Sequence, residues 1–121
     1  MQNPQLIKKS QTWEKIKDLD GLKKLVLEYN TGQLDAVDVA YTKMEGIYPV
    51  SGWSANQTST MLYYVLFGKA KLTLEKGDTY ILEQSDLFVL PPNSFYKIEG
   101  EFEALMICAP AWKSEQSIKK D

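Results

Sequence analysis

The sequence predicts an all-β domain. Three features carry that prediction: short apolar or alternating segments follow one another along most of the chain, glycine-, proline- and asparagine-containing turns separate them, and a helical rhythm occurs only near the N-terminus. Strands this short and closely spaced point to a sandwich or a small closed barrel rather than a parallel α/β sheet.

Between Thr12 and Leu19, Trp13, Ile16 and Leu19 recur at every third position beside charged neighbours, which predicts a short amphipathic helix stopped at Gly21. Leu22 to Glu28 is rich in Leu and Val and reads as a strand or as a continuation of that helix. From Asn30 the period becomes two. Asn30-Thr31-Gly32 has turn chemistry, and Val37, Val39 and Tyr41 then fall on one face while Asp38, Ala40 and Thr42 fall on the other. Gly46, Pro49 and Gly52 punctuate a stretch that ends in the polar run Ser54 to Thr60. Met61 to Phe67 is apolar and aromatic, and Ala70, Leu72 and Leu74 alternate with Lys69, Lys71 and Thr73 before the turn Glu75-Lys76-Gly77-Asp78. Thr79 to Glu83, Leu87 to Leu90, Phe95 to Ile98 and Ala104 to Cys108 supply further strands, joined by Gln84-Ser85-Asp86 and by the bend Pro91-Pro92-Asn93-Ser94. The expected organisation is residues 1–30 as a strand and short helix packed on a barrel, 31–112 as the barrel, and 113–121 as a polar tail that frays.

Composition narrows the function classes. A chain of 121 residues with 44% hydrophobic and 12% aromatic content can bury one core. A net charge of −2 creates no field that would draw nucleic acid or a membrane surface, and all 14 basic residues are lysine, so the planar fork that reads guanine edges is missing. Neither nucleic acid nor membrane is an expected partner. Cys108 is the only cysteine, which rules out an internal disulfide and suits a reducing compartment as a buried, inert thiol. Met1 to Ser10 has no apolar core of signal-peptide length, and no later run is long enough to span a bilayer, so a cytoplasmic setting is expected.

The stretch Leu62-Tyr63-Tyr64-Val65-Leu66-Phe67-Gly68, then Gly77-Asp78, then Asp86-Leu87-Phe88-Val89-Leu90-Pro91-Pro92-Asn93, and the closing Ile107-Cys108-Ala109-Pro110-Ala111-Trp112 together resemble a single-domain cupin over roughly Met44 to Trp112. The resemblance implies a double-stranded β-helix, or jelly-roll barrel, with a pocket inside one end, and a homodimer formed through outer sheet faces. It also implies where metal-binding members place their ligands. The glutamate position falls on Met61, the late histidine position on Tyr96, and the histidine pair on Ser54 and Asn56, or on Ala55 and Gln57 if the loop is one residue shorter. The chain contains no histidine. Amide, thioether and phenol groups bind zinc, iron or manganese poorly, so no metal and no cofactor are expected, and histidine-ligated metal chemistry does not carry over.

Other chemistries find little support in the sequence. Asp78 and Asp86 sit in turns, Glu75, Glu83 and Glu99 flank strands, and no two acids form a recognisable pair. A serine or cysteine nucleophile lacks a histidine base, and every lysine falls on the polar side of its local pattern. What remains is an aromatic, polar and uncharged pocket. If Met61 points inward, Tyr63 and Val65 do too, while Tyr64 and Leu66 face outward. Trp53, Asn56, Gln57, Met61, Tyr63, Phe88 and Tyr96 are the candidate ligand-binding residues. The alternative is that these side chains merely fill the barrel.

Three functions follow. The first is a metal-independent cupin that binds a small neutral or polar molecule, such as a sugar or other metabolite. The second is a dimerisation or scaffolding module with a vestigial pocket, using Tyr64, Leu66 and the face carrying Val37 and Tyr41. The third is a metal-free sugar isomerase or epimerase with Tyr96 as acid or base, which requires a cationic neighbour that the sequence does not display.

Overall fold

The computed structural model describes residues 3–121; Met1 and Gln2, the start of the expected 1–30 segment, lie outside the described residues. The chain opens with a hairpin. Strands β1 (Trp13–Leu19) and β2 (Leu22–Glu28) pair antiparallel from Trp13 opposite Glu28 to Leu19 opposite Leu22. The two residues between them are Asp20-Gly21, a tight-hairpin dipeptide, with φ +89 at Gly21. The helix expected over Thr12 to Leu19 is therefore a strand. Eight residues make a marginal helix on their own, whereas the hairpin gives the same backbone a full ladder. Helical turns among the described residues are limited to two 3-10 segments, Lys9–Gln11 and Ser114–Gln116, and no described helix is long and apolar enough to cross a membrane.

β3 (Asp38–Tyr48) pairs with β2 on one side and on the other with β8 (Tyr96–Ala109). The connection from β2 to β3 is organised by Asn30, whose side-chain oxygen accepts from the N–H groups of Gly32 and Leu34, both at 3.1 Å. β8 in turn pairs with the long β5 (Thr60–Leu74), which also carries β6 (Thr79–Leu82) and β7 (Leu87–Leu90) along its other edge. β4 (Trp53–Asn56) touches β8 at Ser54 opposite Tyr96. β8 serves three partners, and the antiparallel sheet curls around its own inner face into a half-barrel, the jelly-roll type of architecture expected from the sequence. The close approach of β3 to the β1–β2 turn needs glycine. Gly46 has φ +120, and a Cβ there would lie 2.1 Å from the Gly21 carbonyl oxygen.

Alternation sorts the side chains as expected for β5. Met61, Tyr63 and Val65 are buried, Tyr64 is half-buried, and Leu66 is exposed. A bulge between Val65 and Phe67 then shifts the parity, so that Ala70 and Leu72 take up the inward positions. Leu72, Ile98 and Val65 form the most deeply buried part of a core that also includes Phe102, Leu82 and Leu90.

The C-terminal tail does not fray. Strand β9 (Ser117–Lys120) pairs with β4 over four residues, from Trp53 opposite Lys120 to Asn56 opposite Ser117. Gln116 anchors it: its side-chain oxygen accepts from the N–H groups of Thr58 at 3.0 Å and Ser59 at 2.7 Å, and its amide donates to the Ser59 hydroxyl at 2.7 Å. A polar composition suggested a solvated tail, but these polar groups are used to satisfy buried backbone.

Candidate functional site

The inner faces of β1, β2, β3, β4, β5 and β8, closed by the segment from Trp112 to Lys119, leave a cavity of about 400 Å³ inside the barrel. The side chains therefore do not simply fill the interior. Strand parity delivers the lining: Lys15 and Lys17 from β1, Lys24, Val26 and Glu28 from β2, Asp38 and Ala40 from β3, with Tyr48 at the far end of that strand. Of the candidate ligand-binding residues, Asn56, Met61, Tyr63 and Tyr96 come together here. Trp53, Gln57 and Phe88 are not part of the lining. Trp53 lies beneath the Lys97 ammonium at 5.2 Å, since its neighbour Ser54 takes the inward position. Gln57 is exposed beyond the end of β4, where its N–H donates to the Gln116 carbonyl. Phe88 stands opposite Tyr63 in the ladder, but its ring packs 4.9 Å from that of Tyr80.

One wall of the cavity is built around Tyr48. The Lys24 ammonium sits 3.8 Å over the centre of its ring, with Lys17 at 5.6 Å. Lys119, brought in by β9, donates to the Tyr48 hydroxyl at 2.6 Å and to Ser54 Oγ at 2.8 Å. Burial lowers the Lys24 ammonium to about 8, with the neighbouring lysines adding to the effect against the pull of Tyr48. For Tyr48, burial pushes upward, but Lys24 together with the hydrogen bonds from Lys119 and Ser54 outweighs it and holds the phenol at about 8. Lysines expected on the polar side of their strands thus point inward, and the cationic neighbour that a working tyrosine requires is supplied to Tyr48.

Carboxylates occupy the other end of the same two strands, Glu28 on β2 and Asp38 on β3. Burial first, and the nearby Asp38 second, push Glu28 up to about 7, while burial raises Asp38 against a hydrogen bond from the Trp112 N–H at 2.7 Å. The sequence separates these two acids by ten positions, but the ladder places β2 beside β3, so an interacting acid pair exists where none was expected. Cys108, opposite Asp38 in the β3–β8 pairing, is buried, and burial followed by the two carboxylates pushes its thiol up to about 12, in keeping with an inert thiol. The pocket is aromatic and polar as expected, but it is charged rather than uncharged.

Tyr63 and Tyr96 form the floor, with their hydroxyls 2.9 Å apart and their rings edge to face. Burial raises both phenols, Tyr96 well above its ordinary value, so Tyr96 is poorly placed to exchange protons. Asn56 accepts from the Trp112 indole at 3.0 Å and lies 3.8 Å from the Met61 sulfur. Of the positions that the cupin resemblance implies for metal ligands, Ser54, Asn56, Met61 and Tyr96 line the cavity, each engaged with a neighbouring side chain and none an effective donor to a transition metal, while the alternative pair Ala55 and Gln57 is not part of the lining. Among the described residues no three of Cys, Asp and Glu converge as a metal-binding group. The residues present do not fit a resident metal.

Sequence parity alone could not reveal the charged lining. In β2, Leu22, Lys24, Val26 and Glu28 alternate with Lys23, Leu25 and Leu27, so both faces mix polar and apolar residues and neither declares itself inward.

A curled antiparallel sheet around a cavity defines the class, an all-β fold of cupin, or jelly-roll, type. Among solved structures, a variant of Streptomyces Pac13 with uridine has a TM-score of 0.81 at 19% identity, covering 98% of this chain and 92% of that one. Pac13 is described as a nucleoside dehydratase. KdgF from a Halomonas species has a TM-score of 0.66 at 13% identity, with 93% and 98% covered, and Bacillus subtilis oxalate decarboxylase 0.70 at 16%, with 92% of this chain but 30% of that one. No protein-family model matches the sequence, and no curated protein does.

Proposed function

We propose that this chain is a metal-independent cupin that binds a small polar metabolite, of sugar or nucleoside size, inside its barrel. The observation that carries this reading is the cavity of about 400 Å³, in which ring faces of Tyr48, Tyr63, Tyr96 and Trp112 alternate with hydrogen-bonding and charged groups. That combination grips a ligand by its apolar faces and reads its hydroxyls. The uridine in the similar Pac13 structure supports a molecule of this size. The absence of histidine from the chain supports metal independence. Thermal-shift measurements before and after chelator treatment, against nucleosides and simple sugars, test it. The reading predicts a rise in Tm that survives the chelator; no shift with any compound, or a shift that the chelator abolishes, refutes it.

A second reading, proton-transfer chemistry on the bound molecule, is favoured by one observation. Glu28 at about 7 lies four residues along β2 from Lys24, which with Tyr48 forms a pair at about 8, so groups at the two ends of the cavity exchange protons near neutrality. In an elimination, Glu28 as carboxylate would take a proton from carbon while the Lys24–Tyr48 side protonates the departing hydroxyl, which leaves as water. Tyr48, rather than Tyr96, takes the acid–base role. The dehydratase description of Pac13 supports this reaction class over isomerisation. The homodimer stays a proposal, supported by a depression on the outer sheet face lined by Leu25, Val39, Tyr41 and Leu105; a monomer mass in light scattering at micromolar concentration refutes it.

A further inference from the structure

The interior of the barrel carries the opposite sign of charge from the protein as a whole. The chain has a net charge of −2, but Lys15, Lys17, Lys24 and Lys119 face the cavity against only Glu28 and Asp38. The ion pairs among the described residues engage other lysines, namely Lys71, Lys76 and Lys120. The side chains of Lys15, Lys17 and Lys24 make no hydrogen bond or close ion pair with any described residue; Lys15 lies 5.5 Å from the Trp112 ring and also attracts Glu28 and Asp38, and the other two lie above Tyr48. Lys119 approaches the same ring from β9, 4.6 Å from its centre.

Three ammonium groups from three strands therefore surround one phenol. They repel one another, and Lys24 also gives up hydration to be there, while Lys17 and Lys119 reach in from exposed positions. Each also keeps donors that the protein leaves unused, and Lys24 is lifted onto the inner face even though its neighbour Lys23 points to solvent. A convergence of under-used cationic donors on one end of a concave site is the complement of an anion.

Resting on the reading of the cavity as a small-molecule site, we propose that the molecule it takes carries an anionic oxygen group, a phosphate or a carboxylate. The group sits between Lys17, Lys24 and Lys119 over Tyr48, with the uncharged part of the molecule against Trp112 and Asn56. Recognition is by point charges, since lysine rather than arginine supplies the donors, so the site selects charge more strongly than it selects planar carboxylate geometry.

Isothermal titration of the full chain at pH 7 and low salt tests this with matched compounds: uridine against uridine 5′-monophosphate, and glucose against glucose 6-phosphate and glucuronate. The charged member of each set binds at least about tenfold more tightly than its neutral counterpart, and the margin shrinks as salt is raised. The phosphate and carboxylate arms identify which source of the anion is preferred. Lys24→Met and Lys119→Met bring the margin close to one while binding of the neutral members persists; Lys17→Gln, at an exposed position that does not endanger folding, reduces it part of the way. Neutral members that bind as tightly as charged ones overturn the anion assignment and leave the cavity reading intact. Failure of every compound to bind overturns both. Charge discrimination that persists undiminished in all three variants overturns the assignment to these lysines.

Discussion

Replacing Lys24 by methionine is expected to stabilise the protein at neutral pH. The side chains are similar in length, so packing against Tyr48 is largely kept, and what disappears is a desolvated ammonium group. Its fall from 10.5 to about 8 is worth on the order of 3 kcal/mol, at ~1.4 kcal/mol per pH unit. Loss of the attraction to the Tyr48 ring offsets about 1 kcal/mol of this. The net gain is about 2 kcal/mol, or roughly 5–10 °C in Tm for a chain of this size. The sign also fixes a pH window. For a base whose folded-state value is depressed, the penalty is complete below about 8 and fades as pH rises toward 10.5, where the unfolded chain also loses its proton. Tyr48, depressed from 10.0 to about 8, titrates over the same range and adds stability to the wild type as pH rises. Urea unfolding followed by tryptophan fluorescence at pH 7 and pH 10 should therefore show a gap that closes at the higher pH. A Lys24→Met protein no more stable than wild type at pH 7, or a gap that widens at pH 10, would refute the picture of a buried, weakly compensated charge.

Glu28 shows the converse behaviour of an acid raised from 4.5 to about 7: its ionisation costs nothing below about 4.5 and the full penalty above 7, so Glu28→Gln should match wild type in urea melts at pH 4 and exceed it by on the order of 3 kcal/mol at pH 8. Absorbance titration at ~295 nm should show one phenol ionising near 8, and Tyr48→Phe should remove that step while leaving the higher ones in place. Tyr96→Phe leaves the buried Tyr63 hydroxyl without its partner and should cost about 1–2 kcal/mol in the same urea assay. Gln116→Ala exposes three hydrogen-bonding groups of Thr58 and Ser59 at once and should lower Tm by roughly 8–15 °C in calorimetry.

The strands from Val37 to Cys108 were legible because one face of each is buried, which imposes a period of two on the sequence; Met61, Tyr63 and Val65 landed on the predicted side for that reason. The N-terminal hairpin was not, because β1 is exposed along its whole length and nothing forces its residues to alternate, so three apolar residues spaced by three imitated a helix. The Asp20-Gly21 dipeptide was the available signal. In the site, the ring and amide residues Asn56, Met61, Tyr63 and Tyr96 could be placed by parity from β5 and by the cupin resemblance. The charged members could not, since Lys24, Glu28 and Asp38 owe their position to which strand lies beside which, and Lys119 to a pairing made by a segment that composition marks as solvated.

The ladder between residues 53–56 and 117–120 gives that pairing a further consequence. Lys119 reaches Tyr48 and Ser54 from an edge strand only four residues long, so the grip on any occupant and the fastening of that edge share one free energy. Occupancy of the barrel should be readable at its rim as slowed amide hydrogen exchange in these eight residues, and a bulky fusion placed after Asp121 should loosen the ligand without touching it.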